Sequence, residues 1–384
     1  MLAANPLTRL AALAALWAPC LCAAADTVPA NDARRDVDLV IALDVSGSME
    51  GLIESAKQRL WDITNELARA RPVPALRVAI LSYGKPAYGE QSGYVRVDLP
   101  FTADLDAVNA TLFAYGTDGG EEYVARAIQT SLDTLQWSTK RDALKIVFVA
   151  GNESAEQDPR LSIEQAAAAA ARHGVVVNAI YCGADGSAEA LGWQRVATST
   201  NGVYASIDQQ AAAVANVATP FDAQIAALNT ELNSTYIAFG AGGERGRANQ
   251  AEQDSNAAAM SQSAEASRIV AKAGALYRAD WDLVDAVESG KKLDEIPATE
   301  LPAVMQALPP AEREAFVRDK KERRQDLERQ IGELAASRNE YIAEQKESSA
   351  DATGLDAAIL DGLREVAATK GFSFAGESNG ERRR

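Results

Sequence analysis

The sequence predicts an α/β fold, in which a doubly wound, mostly parallel sheet with one antiparallel edge strand is followed by an all-α C-terminal region. Three observations carry this prediction. Aliphatic runs alternate with helix-like segments between residues 36 and 227, as in a parallel sheet with helices on both faces. A short polar turn joins two of the runs, which indicates a hairpin. Helix-favouring residues dominate residues 228–384.

Strands are predicted where aliphatic residues run together, at Val37–Leu43, Leu76–Tyr83, Val95–Phe101, Leu144–Ala150, Val175–Tyr181 and Gly202–Ala205. Helices are predicted where apolar residues recur every three or four positions, from about Met49 to Leu67 and at Glu122–Leu135, Ile163–Arg172, Ala188–Thr198 and Gln209–Ala227. Because only the polar segment Gly84–Gly93 separates the second and third runs, these two strands are predicted to be antiparallel.

The C-terminal region is predicted to be helical after a short extended piece at Leu232–Phe239 and a glycine hinge at Gly240–Gly243. Gln250–Glu288 is predicted as one helical stretch, with an apolar face formed by Leu276, Tyr277, Trp281, Val284 and Val287. A long helix is predicted from Pro310 to about Ser348, and a last one at Leu355–Lys370. On the long helix, apolar residues fit a helical hairpin or association with a partner helix, namely Leu327, Ile331, Leu334 and Tyr341.

Composition and the first residues favour an exported protein. The 384 residues carry a net charge of −16, which argues against nucleic-acid binding. Residues 1–25 contain one charged side chain, Arg9, then an apolar run and small residues, so they are predicted to be a secretory signal peptide. No later run reaches the ~20 apolar residues of a membrane helix. The expected location is therefore the periplasm or the exterior of the cell.

Two residues that often carry chemistry occur once each in the chain that remains after cleavage. Cys182 has no partner for an internal disulfide there and is predicted to be a buried, inert thiol. His173 precedes a glycine at the end of a predicted helix, where it is expected to act as a C-cap. Neither residue is expected to be catalytic or to bind metal.

One motif dominates the chain, the polar turn that follows the first predicted strand. Asp44, Ser46 and Ser48 stand at alternate positions there, at the end of a strand where open α/β sheets bind their ligands. One carboxylate and two hydroxyls can direct their oxygens to one point, as Mg²⁺, Mn²⁺ or Ca²⁺ require. Alternatively, the two serines cap the next helix and Asp44 closes a turn.

This turn, D-V-S-G-S, resembles the D-x-S-x-S signature of von Willebrand factor type A (VWA) domains, and the order of elements from residue 36 to 227 matches that Rossmann-like fold. The resemblance implies a metal-ion-dependent adhesion site (MIDAS) with ligands from three loops. The second loop usually supplies a threonine. Here Glu122 stands at that position, as in integrin β subunits, and Thr117 is the alternative ligand. Without a metal, Asp118 would cap a helix with Glu121 and Glu122 in its first turn.

The third loop departs from the family pattern. Gly151 stands where the family has an aspartate, so that Asn152 and Glu153 are the candidates to reach the ion directly or through water. Losing one carboxylate lowers the negative charge at the site and weakens cation binding. A glutamate from the second loop would offset that loss.

The resemblance implies binding rather than turnover: an acidic residue of a partner protein replaces a water on the metal. The predicted function is therefore an exported, adhesion-type interaction module that is not an enzyme. One alternative is a structural scaffold whose metal site stays vacant, which the Gly151 departure favours. The other is a metal-dependent hydrolase. The scarcity of His and Cys, and the lack of a G-x-S-x-G elbow or a P-loop, argue against it.

Overall fold

A six-stranded sheet forms the centre of the fold in the computed structural model, which describes residues 34–206, 218–348 and 355–374. The described strands are β1 Asp36–Asp44, β2 Ala70–Arg71, β3 Ala75–Tyr83, β4 Val95–Thr102, β5 Leu144–Gly151, β6 Val176–Tyr181, β7 Tyr204–Ser206 and β8 Ser373–Phe374. The main sheet has the order β4-β3-β1-β5-β6-β7, and β2 pairs with β8 in a separate two-stranded sheet. The predicted signal peptide lies outside the described residues.

The sheet has the predicted pairing. Strand β1 is parallel to both neighbours, and β4 is antiparallel to β3 at one edge. Eight of the nine residues of β1 are buried, as expected of a strand covered on both faces. In the register, Asp44 lies opposite Tyr83, and Leu43 lies opposite Ala150. The carboxyl ends of β1, β3 and β5 therefore meet at one edge of the sheet.

The described helices are α1 Glu50–Arg69, α2 Leu105–Phe113, α3 Val124–Thr134, α4 Ile163–Arg172, α5 Ala190–Thr198, α6 Asp222–Asn233, α7 Gly243–Met260, α8 Gln262–Lys272, α9 Leu283–Glu288, α10 Ala303–Gln306, α11 Pro310–Ser348 and α12 Leu355–Thr369. One face of the sheet packs against α3, α4 and α5, and the other against α1 and α2. None of these helices is long and apolar enough to cross a membrane.

Helix α2 was not predicted. Asp104 caps it, since its side chain accepts hydrogen bonds from the backbone N–H groups of Asp106 and Ala107. Leu105, Val108 and Leu112 are buried. Their spacing of three and four residues is typical of a helix. Nine residues are too few for this signal to stand out between a strand and a glycine-rich loop.

The single helical stretch predicted at Gln250–Glu288 is wrong. Helix α7 ends at Met260, and Ser261 starts α8 by accepting a hydrogen bond from the N–H of Ala264 on its side chain. Residues 273–282 form a loop, so Leu276, Tyr277 and Trp281 do not share a helix face with Val284. Leu276 and Tyr277 are nevertheless buried in the main core, and Val284 in a smaller one. The apolar residues therefore predict burial correctly, but Leu276 and Tyr277 are buried from a loop and not from one face of a helix.

Two other elements near the predicted boundary also differ. The helix expected at Gln209–Ala227 begins at Asp222 in the described part of the chain, and residues 207–217 lie outside it. The extended piece expected at Leu232–Phe239 begins inside that helix, which runs to Asn233. Only Ala238 makes a bridge, with Asp282. Helix α6 therefore crosses the boundary predicted between residues 227 and 228.

Helix α11 has the bounds predicted from the sequence, and its apolar seam packs within the protein. Leu327 and Ile331 are fully buried in the core cluster that also holds Leu39 and Trp61. The seam faces α6, α8 and α9 of the same chain. It thus serves intramolecular packing, and association with a partner helix stays a prediction.

A buried ionic network also joins the helical region to the α/β sheet. Arg268 of α8 is 1% exposed, and its guanidinium donates to Asp106 on α2 and to Asp254 on α7, each at 2.7 Å. It also lies over the ring of Trp61, with 4.7 Å from Cζ to the ring centroid. Lys272 donates to the other oxygen of Asp254 at 2.7 Å. The charges of Lys272 and Arg268 lower the pKa of Asp254 to about 2 against the effect of burial. Helices α2, α7 and α8 are therefore held together by paired charges that are largely buried.

Replacing Arg268 with Met should lower the free energy of unfolding by about 3–5 kcal/mol. The buried Asp106 would lose its charged partner and keep only the Tyr277 hydroxyl as a described hydrogen-bond donor. Asp254 would keep Lys272 but lose Arg268. The exposed Arg247, whose ion pair among the described residues is with Glu244 on the same helix, provides the matched control. Arg247→Met should cost less than about 0.5 kcal/mol. Urea unfolding of both variants measures the difference, and equal costs would contradict a role for the network in joining the two regions.

Candidate metal site

The turn after β1 brings two polar side chains together below the surface. The Ser46 N–H donates to Asp44 Oδ1 at 2.8 Å, and the two residues are only 1% and 2% exposed. Asp44 Oδ2 and Ser46 Oγ are buried without a hydrogen-bond partner among the described residues. Because buried polar atoms are normally paired with protein, water or a bound ligand, these two oxygens mark a place where a water molecule or a ligand is expected.

The second loop closes over this turn. The Asp118 N–H donates to the Val45 carbonyl at 3.0 Å. The side chain of Glu122 comes close to Asp44 at Gly84: a methyl group on Gly84 would lie 2.8 Å from Asp44 Oδ1 and 3.1 Å from Glu122 Cγ. Gly84 also has a φ of +91°, so that glycine is favoured here for both space and conformation. The side chains of Asp44 and Glu122 therefore both approach the space where a side chain at position 84 would lie.

Glu122 is held by a side chain that the sequence did not single out. Gln157 donates from Nε2 to Glu122 Oε2 at 3.2 Å and accepts from the Glu122 N–H at 3.3 Å. Helix α3 begins only at Val124, so the alternative in which Asp118 caps a helix and Glu122 lies in its first turn is wrong. Glu122, which is 7% exposed, points inward from an irregular loop because Gln157 fixes both its backbone and its carboxylate.

The packing around the end of β5 explains why position 151 is a glycine. A methyl group on Gly151 would lie 2.6 Å from the Tyr83 hydroxyl oxygen and 3.1 Å from the Trp193 ring. The Tyr83 hydroxyl donates to the Ala150 carbonyl at 2.8 Å, and Trp193 Nε1 donates to the Glu153 carbonyl at 2.8 Å. Two fixed aromatic side chains thus occupy the space that an aspartate would need.

Of the two third-loop candidates, the structure joins Asn152 to the first loop and leaves Glu153 exposed. Asn152 Nδ2 donates to Ser48 Oγ at 2.9 Å, which joins the third loop to the first. Its Oδ1 is buried without a partner among the described residues. Glu153 is exposed, and its charge raises the pKa of Asp44. Thr117 is half-buried next to Asp118, and no described contact joins its side chain to the cluster. Its role as an alternative ligand stays a prediction.

Both inner carboxyls hold their protons more tightly than usual. Burial, with the nearby charge of Glu153, raises the pKa of Asp44 to about 6, although the Ser46 N–H opposes the rise. Burial and the charges of Asp44 and Glu153 raise the pKa of Glu122 to about 7 against the Gln157 hydrogen bond. Two acids that resist ionisation together would be stabilised in their charged form by a cation.

The residues present fit a hard divalent cation. Asp44 and Glu122 supply charge, and Ser46, Ser48 and Asn152 supply neutral oxygens, the donor type that Mg²⁺, Mn²⁺ and Ca²⁺ prefer. No group of three or more His, Cys, Asp or Glu with the arrangement of a metal site occurs in the described parts of the chain. Cys182 is free and buried, and burial raises the pKa of its thiol. His173 caps α4, as predicted.

Residues 38–218 match the sequence model of the von Willebrand factor type A domain. This part of the chain is a VWA domain. The match covers all three loops described above and the six-stranded sheet except the first two residues of β1, and it confirms the predicted family. No curated protein sequence matches the chain at a significant level.

Three solved structures are similar to part of this chain. Proximal thread matrix protein 1 from the mussel byssus, with a zinc-occupied MIDAS motif, is 12% identical, with a TM-score of 0.37 over 46% of this chain and 43% of that one. A von Willebrand factor type A protein from Catenulispora acidiphila is 16% identical, with a TM-score of 0.35 over 47% and 40%. The pilus adhesin SpaC from Lactobacillus rhamnosus GG is 17% identical, with a TM-score of 0.36 over 46% and 28%. The chain spans less than half the length of each of these three structures.

Replacing Gly151 with Ala should destabilise the VWA domain by about 1–3 kcal/mol, because the methyl group overlaps the Tyr83 hydroxyl. The cost should fall in a Tyr83→Phe background, which removes the hydroxyl and makes room. Urea unfolding of the two single variants and the double variant gives the interaction energy. Strict additivity of the two changes would show that Tyr83 does not exclude a side chain at position 151.

In the presence of a chelator, Asp44 and Glu122 should make the protein less stable as pH rises. Their folded pKa values of about 6 and 7 lie above the unfolded values, so the folded state binds more protons. This contribution is complete at about pH 4 and is lost as pH rises through about 7. Glu122→Gln removes one of the two titrations. Between about pH 4 and 7.5, wild type should lose about 1–3 kcal/mol relative to this variant in urea unfolding. A pH-independent difference would contradict the raised pKa.

Proposed function

We propose that the VWA domain binds a divalent cation at the carboxyl edge of its sheet and, through it, an acidic group of a partner protein. The observation that carries the proposal is the set of buried oxygens without partners, Asp44 Oδ2, Ser46 Oγ and Asn152 Oδ1. Leaving such atoms unpaired costs about 1–3 kcal/mol each. A bound cation would recover this cost.

Each residue has a distinct part in the proposed site. Asp44 and Glu122 neutralise the charge of the cation, and Ser46 and Ser48 offer hydroxyl oxygens from the turn after β1. In the third loop, Gly151 stands at the position where the family has an aspartate, and the neighbouring Asn152 would act in its place. Glu153 follows Asn152 in the sequence and Thr117 lies in the second loop, so either could bind the cation directly or through a water molecule. Mg²⁺ usually retains several waters in protein sites, and a partner carboxylate that replaces one of them would make the contact.

The proposal is one of binding, with no catalytic residue assigned. We further propose that the protein acts outside the cytoplasm, on the sequence of its first 25 residues, whose only charge is Arg9 and whose end is rich in alanine. The scaffold alternative, with a vacant site, rests on the missing aspartate at Gly151. The Gln157-bound Glu122 weighs against it, since a carboxylate held inward next to Asp44 restores the missing charge.

Glu122→Gln should weaken Mg²⁺ or Mn²⁺ binding by about tenfold or more in calorimetric titration, because one of the two inner negative charges is lost. The new amide oxygen can still accept the hydrogen bond from Gln157, so the loop should keep its position. Glu121→Gln is the matched control, since the neighbouring Glu121 is exposed and lies outside the cluster. It should change the affinity by less than about threefold.

Asp44→Ala completes the experiment. It should abolish measurable metal binding, with folding checked by circular dichroism. Equal affinities of the Glu121 and Glu122 variants would remove Glu122 from the site. Absence of a binding heat in the wild-type protein, with either ion, would favour the vacant scaffold.

A further inference from the structure

Outside the inner cluster, the carboxyl edge of the sheet carries a set of exposed carboxylates, here called the acidic rim. Its members follow β1, precede α3, or follow β5 and β6. All are exposed and none has an ion pair among the described residues; they are Glu50, Asp118, Glu121, Glu153, Asp185 and Glu189.

The positive charges at this edge are already used. Arg126 pairs with Asp158, Arg160 with Glu90 and Arg195 with Glu156. In the described loops of this edge, the cation that remains without an acidic partner is Lys85, next to Gly84. The rim therefore has six uncompensated negative charges against one positive charge.

A metal ion would not cancel this excess. Its two charges match those of Asp44 and Glu122, the inner carboxylates at the unpartnered oxygens of the turn after β1. A partner that offered only a carboxylate would approach the cation through the field of the rim, which repels it. If lysine or arginine flanked the partner's carboxylate, these positive side chains would lie over the acidic rim. The negative field of the rim would then attract the partner.

We propose that the partner of this site is a basic segment that presents a single acidic residue, with lysine or arginine on both sides of it. The carboxylate would reach the cation, and the flanking cations would lie over Asp118, Glu121 and Glu153. This inference rests on the proposed metal-dependent binding and adds the chemistry of the partner. The long-range attraction should make the association strongest at low salt.

Three labelled peptides of equal length test the proposal against the purified protein with Mn²⁺. The first has one Asp flanked by lysines, the second has the same Asp flanked by glutamines, and the third has the lysines with Asn in place of Asp. Fluorescence anisotropy at about 50 mM salt should show the first peptide binding about tenfold or more tightly than the second. Chelator or Asp44→Ala should remove most of the first peptide's binding and leave the weak binding of the third unchanged.

The rim itself is tested by Asp118→Asn combined with Glu121→Gln. This double variant should reduce the advantage of the first peptide over the second to about threefold or less, while metal binding measured by titration is kept. The matched control is Glu312→Gln with Glu314→Gln, two exposed acids on α11, which should leave the advantage intact.

The outcomes separate this inference from the proposed function. If the first two peptides bind equally well and both need metal, the basic partner is wrong and the metal-dependent function stands. If the third peptide binds as tightly as the first, the rim attracts cations but the metal has no part in recognition. If Mn²⁺ gives no binding heat and chelator has no effect on any peptide, the proposed function itself fails. No measurable binding of the first peptide, with metal bound, overturns the inference.

Discussion

The structure depends on one constraint, the parallel register of β1 with β3 and β5. Because Asp44 lies opposite Tyr83, and Leu43 opposite Ala150, three strands end at the same level. The loops that follow them must share a small space. The buried oxygens of Asp44 and Ser46 lie in that space, and the inner carboxylate of Glu122 reaches it from the loop before α3. A shift of one residue in the pairing would turn the side chain of Asp44 to the other face, so the core of the sheet and the site are fixed by the same pattern.

In the proposed site, a carboxylate from the second loop would replace the one that the third loop lacks. At Gly151 the chain cannot hold an aspartate, because the Tyr83 hydroxyl and the Trp193 ring fill the space next to its Cα. The same two aromatic residues fix the third loop by bonding to the carbonyls of Ala150 and Glu153. The negative charge appears instead at Glu122, fixed by Gln157 from a later part of the third loop. The space at Gly151 is therefore filled by aromatic side chains, while a buried carboxylate is held nearby in the second loop.

Much of this could be predicted from the sequence, and the failures have a common cause. Buried strands such as β1 and β5 read clearly because their aliphatic runs end in polar turns, and Pro310 and the helical periodicity that follows fix α11. The pattern could not show that Ser261 breaks a helix or that Leu276 and Tyr277 are buried from a loop, since burial and helicity leave similar signals over short stretches. It also could not find Gln157 or Tyr83, because their importance lies in contacts with residues 35 and 67 positions away.

The helical region bears on how the site works, because it is not a separate attachment. Helices α8, α11 and α12 contribute to the core that also contains Leu39, Leu60 and Trp61, and Arg364 of α12 donates to Glu66 of α1. Helix α1 begins at Glu50, two residues after Ser48, and its other end is thus held by the C-terminal helices. Asn65 and Asp62 on α1 bond to Ser267 of α8. The turn that carries Asp44 and Ser46 is therefore fixed from both sides, by the register of β1 and by a helix that the rest of the chain holds in place. Such bracing keeps polar groups preorganised when they would otherwise relax to pair with one another. The unpartnered oxygens of Asp44 and Ser46 therefore lie in a turn between a strand and a helix that are both held by the rest of the chain.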